Sequence, residues 1–71
     1  MSKEILIKFG QRVRSQRMKL GMSQEELAAR ADVHRTYIGM IERAEKNITL
    51  ESIEKICKAL DLTVSEFFKD F

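Results

Sequence analysis

Ile5, Phe9 and Val13 recur four residues apart in an otherwise polar segment, with Leu6 and Leu20 near the same stripe. That spacing puts them on one side of a helix predicted over Glu4 to Leu20, with Gly21 as the residue that ends it. A second helix starts after Ser23. Ser23 and Glu26 have the S-x-x-E spacing of a capping box, and Leu27, Ala28 and Ala31 form the inner face. Asp32-Val33 makes a turn, with Val33 tucked toward the core. A third helix follows from about Arg35 to Ala44. It buries Ile38 and Ile41, and Tyr37 partly, with its hydroxyl wet. Thr49 is placed to cap a fourth helix that runs to Leu60, with Ile53, Ile56, Cys57 and Leu60 as its stripe. Asp61-Leu62 turns the chain. Thr63 and Glu66 repeat the capping-box spacing ahead of a fifth helix carrying Val64, Phe67, Phe68 and Phe71. Period-2 alternation persists nowhere, so no strand is expected. The predicted class is all-α, a five-helix bundle with short connections.

Composition sharpens this picture. The 71 residues make one domain, spanning residues 1–71. A chain so short has a marginal core, and with one cysteine, Cys57, it has no internal disulfide to compensate. The remaining routes to stability are good helix packing and oligomerisation. A single cysteine also suits a reducing cytoplasm. No apolar run approaches the roughly 18 residues of a membrane span. The start lacks the apolar core and cleavage site of a signal peptide, so the expected location is the cytoplasm.

The net charge is only +2, but it is unevenly placed. Lys3, Lys8, Arg12, Arg14, Arg17 and Lys19 face a single acid, Glu4, before Met22, whereas from Leu50 onward acids outnumber bases. The basic end suits phosphates; an ordinary solvated helix face is the alternative.

Two short helices joined by a tight turn, the second opening on His34-Arg35-Thr36, form the arrangement that places a helix in the DNA major groove. Arg35 has the fork that matches guanine O6 and N7. Thr36 has a hydroxyl for a base or phosphate and a methyl for thymine. His34 and Tyr37 can reach phosphates or base edges. Gln24 stands at a helix end whose free N–H groups can grip a phosphate. Arg43, Lys46 and Asn47, after the third helix, are donors for the backbone across the groove. Each also has a plain reading as an exposed surface residue. Arg17 and Glu42, near the ends of the first and third helices, are read as an internal bidentate brace. Cys57 is read as an inert core residue.

Little supports catalysis. Cys57 and His34 fall on different helices, one on a core face and one at an exposed start. Glu25 and Glu26 are adjacent and so do not face each other. There is no phosphate-cradling glycine loop and no metal-ligand spacing, so no cofactor and no metal are expected. Val64, Phe67, Phe68 and Phe71 exceed the apolar surface that one short helix can bury beneath itself. They are the expected dimer interface, with the turn between the fourth and fifth helices.

The run Arg17-x-x-x-Gly21-Met22-Ser23-Gln24-Glu25-Glu26-Leu27-Ala28, then Val33, Tyr37-Ile38, Ile41-Glu42-Arg43 and Leu50 to Leu60, resembles the Xre/Cro–C1 type of helix-turn-helix regulator, whose domain is lambda-repressor-like. His34 to Gly39, Ile41-Glu42-Arg43 and Lys46 to Thr49 look most like the controller proteins of restriction–modification systems. The resemblance implies a cytoplasmic homodimer on a pseudo-palindromic double-stranded DNA operator. It implies activation of its own gene and the endonuclease gene at moderate concentration, with repression at higher occupancy, and possible contact with RNA polymerase. By position, Gln24, Arg35, Thr36 and Tyr37 would touch DNA, assisted by Arg43, Lys46 and Asn47. Many relatives have glycine where this chain has Ala44, which resists the left-handed turn; helix 3 is then expected to run on toward Glu45, or Asn47 to take that turn. The frequent proline near Ile48 is also absent.

Two other functions fit the same resemblance: a phage or antitoxin-type repressor, and an adaptor that binds protein rather than DNA. Such repressors usually carry an added segment beyond this length, and the Arg-led start of the third helix argues against the adaptor.

Overall fold

The computed structural model describes residues 2–71, with side chains from Glu4 onward; Met1 and the side chains of Ser2 and Lys3 lie outside them. Five helices follow in order: α1 (Ser2–Lys19), α2 (Gln24–Ala31), α3 (Arg35–Glu42), α4 (Leu50–Ala59) and α5 (Val64–Phe67). Helix α3 packs against both α1 and α2, α2 also packs on α4, and α5 closes on α4.

Three helix starts are fixed by a side-chain oxygen. Ser23, Thr49 and Thr63 accept from the N–H groups of Glu26, Ser52 and Glu66. The box is reciprocal only at Thr63, whose N–H donates to the Glu66 carboxylate at 2.9 Å. The expected box at Ser23 is half formed; the Glu26 carboxylate lies 3.9 Å from Arg30 on the next turn instead.

Helices α1 to α4 all end alike. A residue turns left-handed, its own N–H bonds back three residues, and the next N–H bonds back five. Gly21, Asp32, Ala44 and Asp61 are the four turning residues. Glycine adopts this conformation freely and aspartate tolerates it. Ala44, at φ 60, has no such excuse. The expectation that alanine would divert the turn is therefore overturned: α3 stops at Glu42, and Ala44 itself takes the left-handed position. The bonds from Ala44 N to Ile41 O at 3.0 Å and from Glu45 N to Met40 O at 2.8 Å hold it there. Ala44→Gly should relieve this strain and raise stability by about 0.5–1 kcal/mol, or about 2–8 °C in melting temperature. A thermal melt that falls or stays level would show that the strain is absent.

The core joins Phe9 and Val13 of α1, Met22, Leu27, Ala28 and Ala31, Ile38 and Ile41, Ile56, Cys57 and Leu60, and Phe67. Three expected members of the first stripe are not in it: Ile5 and Leu20 are each 48% exposed, and Leu6 is only half-buried. The reason is length. An 18-residue helix runs about 27 Å, whereas the next longest, α4, has ten residues and spans about 15 Å, so both ends of α1 overhang.

Phe67, expected at a dimer interface, is instead fully buried in the chain's own core. Helix α5 is a single turn, and it drives Phe67 against Phe9 with ring centroids 5.0 Å apart. Phe68 and Phe71 continue the cluster and stay half-buried. Arg12 locks it: its guanidinium donates to the Phe67 carbonyl at 2.6 Å and lies 5.2 Å from the Phe71 ring centroid. The α1–α3 contact is closest at Gly10, where a Cβ would stand 2.4 Å from the Ile41 carbonyl oxygen.

Candidate nucleic-acid interface

The site begins with the contact that fixes α3. Glu42, in its last turn, faces the end of α1 and the start of α2. Arg17 Nε donates to Glu42 Oε2 at 2.7 Å and Nη2 to Oε1 at 3.0 Å, a bidentate pair. The Glu42 side chain is only 4% exposed and that of Arg17 12%. Arg17 Nη1 also donates to the Met22 carbonyl at 2.8 Å, so the turn after α1 is tied to the same guanidinium. Gln24 adds a third donor to Glu42: its Nε2 donates to Oε1 at 3.1 Å. This hydrogen bonding holds the Arg17 guanidinium's pKa above its ordinary value, against the opposing effect of burial. The guanidinium stays charged at any physiological pH.

On this frame the start of α3 is built locally. His34 caps the helix, its Nδ1 accepting from Thr36 N–H at 3.0 Å. That leaves Nε2 for an outside partner. Arg35 and Thr36 are exposed in the first turn and Tyr37 is half-buried. The Arg35 guanidinium meets Glu25 of α2 at 2.9 Å; both side chains are more than two-thirds exposed, so the pair is weak and easily parted. Arg43, at the helix end, pairs with Glu45 at 3.1 Å, again in solvent. Lys46 and Asn47 are exposed in the following loop.

Arg35, Gly39 and Arg43 are successive fourth residues and so form one line along α3. With Ser23, Gln24, Glu25 and Thr36 they line an open polar concavity between α3 and the start of α2, reaching down to Arg17. The structure thus brings Gln24, Arg35, Thr36 and Arg43 together, whereas His34, Tyr37, Lys46 and Asn47 are not in its lining. Gln24, read as a free donor for phosphate, is partly committed to Glu42. Arg43, read as a loop residue across the groove, shares this concavity. Sequence reasoning missed Gly39, although its position midway between Arg35 and Arg43 on a helical wheel was readable. The partner role of Glu25 was not readable, because it depends on how α2 meets α3.

Among the described residues no three His, Cys, Asp or Glu side chains cluster as metal ligands. Cys57 is buried, and desolvation pushes its thiol pKa up, away from the reactive thiolate. No helix of the described residues is long and apolar enough to cross a membrane.

Two short helices at a tight turn, with a polar start to the second and a fixed companion beneath it, define a helix-turn-helix protein. A family model described as helix-turn-helix matches residues 13–67. The chain is similar to the control protein C.BamHI of Bacillus amyloliquefaciens, at 54% identity over 61 residues that cover 84% of this chain and 75% of the relative. In structure it is similar to the restriction–modification controller protein C.AhdI of Aeromonas hydrophila, with 43% identity, a TM-score of 0.88, and coverage of 92% of this chain and 98% of the other. A second controller, C.Esp1396I, solved as a tetramer in complex with its natural 35 base-pair operator, matches at 38% identity and a TM-score of 0.86 over 92% of this chain and 86% of that one. The chain belongs to the helix-turn-helix family of regulators and, within it, to the restriction–modification control proteins. It is a transcriptional regulator, not an enzyme.

Proposed function

We propose that this chain acts in the cytoplasm as a symmetric dimer on a pseudo-palindromic operator near its own gene and a restriction endonuclease gene. It activates both at moderate concentration, through contact with RNA polymerase, and represses at higher occupancy. The observation that carries the reading is the concavity in which Gln24, Arg35, Thr36 and Arg43 converge on a helix fixed by Glu42. The operator-bound tetramer of C.Esp1396I supports the same reading.

In this reading Arg35 reads a guanine edge, with Thr36 on the neighbouring base. Gln24, Arg43, Lys46 and Asn47 hold phosphates, and His34 and Tyr37 reach the backbone or base edges. Dimerisation uses α5 and the turn between α4 and α5, where Val64 is 44% exposed and Phe68 and Phe71 are half-buried. Phe67 supports that surface from beneath rather than forming it.

Footprinting on the DNA flanking its own gene tests the reading: two symmetric protected half-sites are expected. In competition assays Arg35→Ala should cost about 1–3 kcal/mol on that operator and much less on random duplex. Equal losses on both would make Arg35 a phosphate clamp, and base reading would pass to Thr36, Tyr37 or DNA shape.

A further inference from the structure

Gly39 sits in the middle of α3, where glycine weakens a helix relative to alanine. Nothing rigid requires it. A Cβ built there would meet no backbone outside the helix, in contrast to Gly10, whose Cβ would strike the Ile41 carbonyl. The added atom would instead stand 3.0 Å from Arg43 Nη1, 3.8 Å from Arg43 Cζ and 3.6 Å from Gln24 Oε1. All three atoms belong to flexible side chains that line the concavity. The fold alone would therefore favour alanine at this position. What glycine provides is room: the Arg43 guanidinium folds over the bare backbone of α3 and covers it, next to the Gln24 amide. Gly39 is buried, and the nearest atoms to a Cβ there belong to the Arg43 and Gln24 side chains.

We infer that Gly39 is a positioning residue for DNA binding. Its missing side chain leaves the room in which the Arg43 guanidinium, paired with Glu45 at 3.1 Å, lies in the concavity on the line of Arg35. This inference rests on the proposed reading that the concavity faces DNA. A methyl group at residue 39 shifts the Arg43 guanidinium outward, while the Gln24 amide oxygen at 3.6 Å stays in ordinary contact. The Arg43 donor is then displaced while the helix itself is strengthened. Stability and binding therefore move in opposite directions, which a merely structural role does not produce.

The test is Gly39→Ala in the full chain, with thermal melting by circular dichroism and affinity for the footprinted operator measured side by side. Melting should rise by about 4–8 °C. Operator affinity should fall about fivefold or more. The same substitution in an Arg43→Ala background should raise melting again but cost much less affinity, since the guanidinium it displaces is gone. Lower melting in Gly39→Ala would make Gly39 a packing residue and overturn the inference. So would unchanged affinity, or an equal affinity loss in both backgrounds, which would mean direct collision with DNA. A parent chain that binds no operator would instead refute the proposed function, a result distinguishable from each of these.

Discussion

Arg17→Ala is expected to lower stability by about 2–4 kcal/mol, a fall in melting temperature of roughly 10 °C or more. The magnitude comes from what is left behind. Glu42 is 4% exposed, and without Arg17 it retains one amide donor, Gln24 Nε2, for a full negative charge. A buried carboxylate stripped of its cation costs far more than the ~0–1 kcal/mol of a surface pair such as Arg35–Glu25. The Met22 carbonyl also loses its donor, which loosens the turn between α1 and α2. Replacing both partners, as in Arg17→Met with Glu42→Leu, should recover much of the loss, because no charge is then stranded. Thermal melts of the three chains check this. If Arg17→Ala melts like the parent and yet binds no operator, Arg17 is a DNA contact and not a brace.

Gly10→Ala is expected to destabilise by about 1–2 kcal/mol, against the usual sign for glycine in a helix. Alanine is worth up to ~1 kcal/mol more than glycine at an open helical position. At Gly10 the new Cβ would lie 2.4 Å from the Ile41 carbonyl oxygen and 3.1 Å from that of Glu42. These are backbone atoms and cannot rotate away, so α1 and α3 must separate, an overpacking cost of roughly 1–3 kcal/mol. Operator binding should weaken too, because the end of α3 moves relative to the Arg17 anchor. Gly39→Ala is the internal control, with the same exchange and the opposite sign of stability. A melt of Gly10→Ala at or above that of the parent would mean that the two helices approach less closely than described.

Much of the architecture was legible in the residues. Helix starts follow from Ser23, Thr49 and Thr63, because a cap is a local bond between a side chain and an N–H three residues on. Most of the core followed from helical periodicity. The polar start of α3 was legible because Arg35 and Thr36 occupy the first turn after a cap. The resemblance to control proteins rests on the same run of residues.

The rest needed the assembled fold. Whether Ala44 accepts a left-handed turn depends on what the chain does next, and two backbone bonds decide it. Ile5 and Leu20 match the stripe of α1 but overhang their neighbours, since helical period says which side faces inward and not where the partner ends. Phe67 could not be told from Phe68 or Phe71 as core or surface until α5 proved to be one turn long. By itself the sequence determined the helices, their caps and the candidate donors, all set by interactions within a few residues. The tertiary structure decided that Gln24 shares Glu42 with Arg17, that Arg43 lies over Gly39, and that Gly10 seats α3. The contacts of Glu42 and of Gly10 join residues 18 to 32 positions apart, and only packing brings them together. Arg43 stands one turn from Gly39, where helical period gives the neighbour but not the direction its side chain takes.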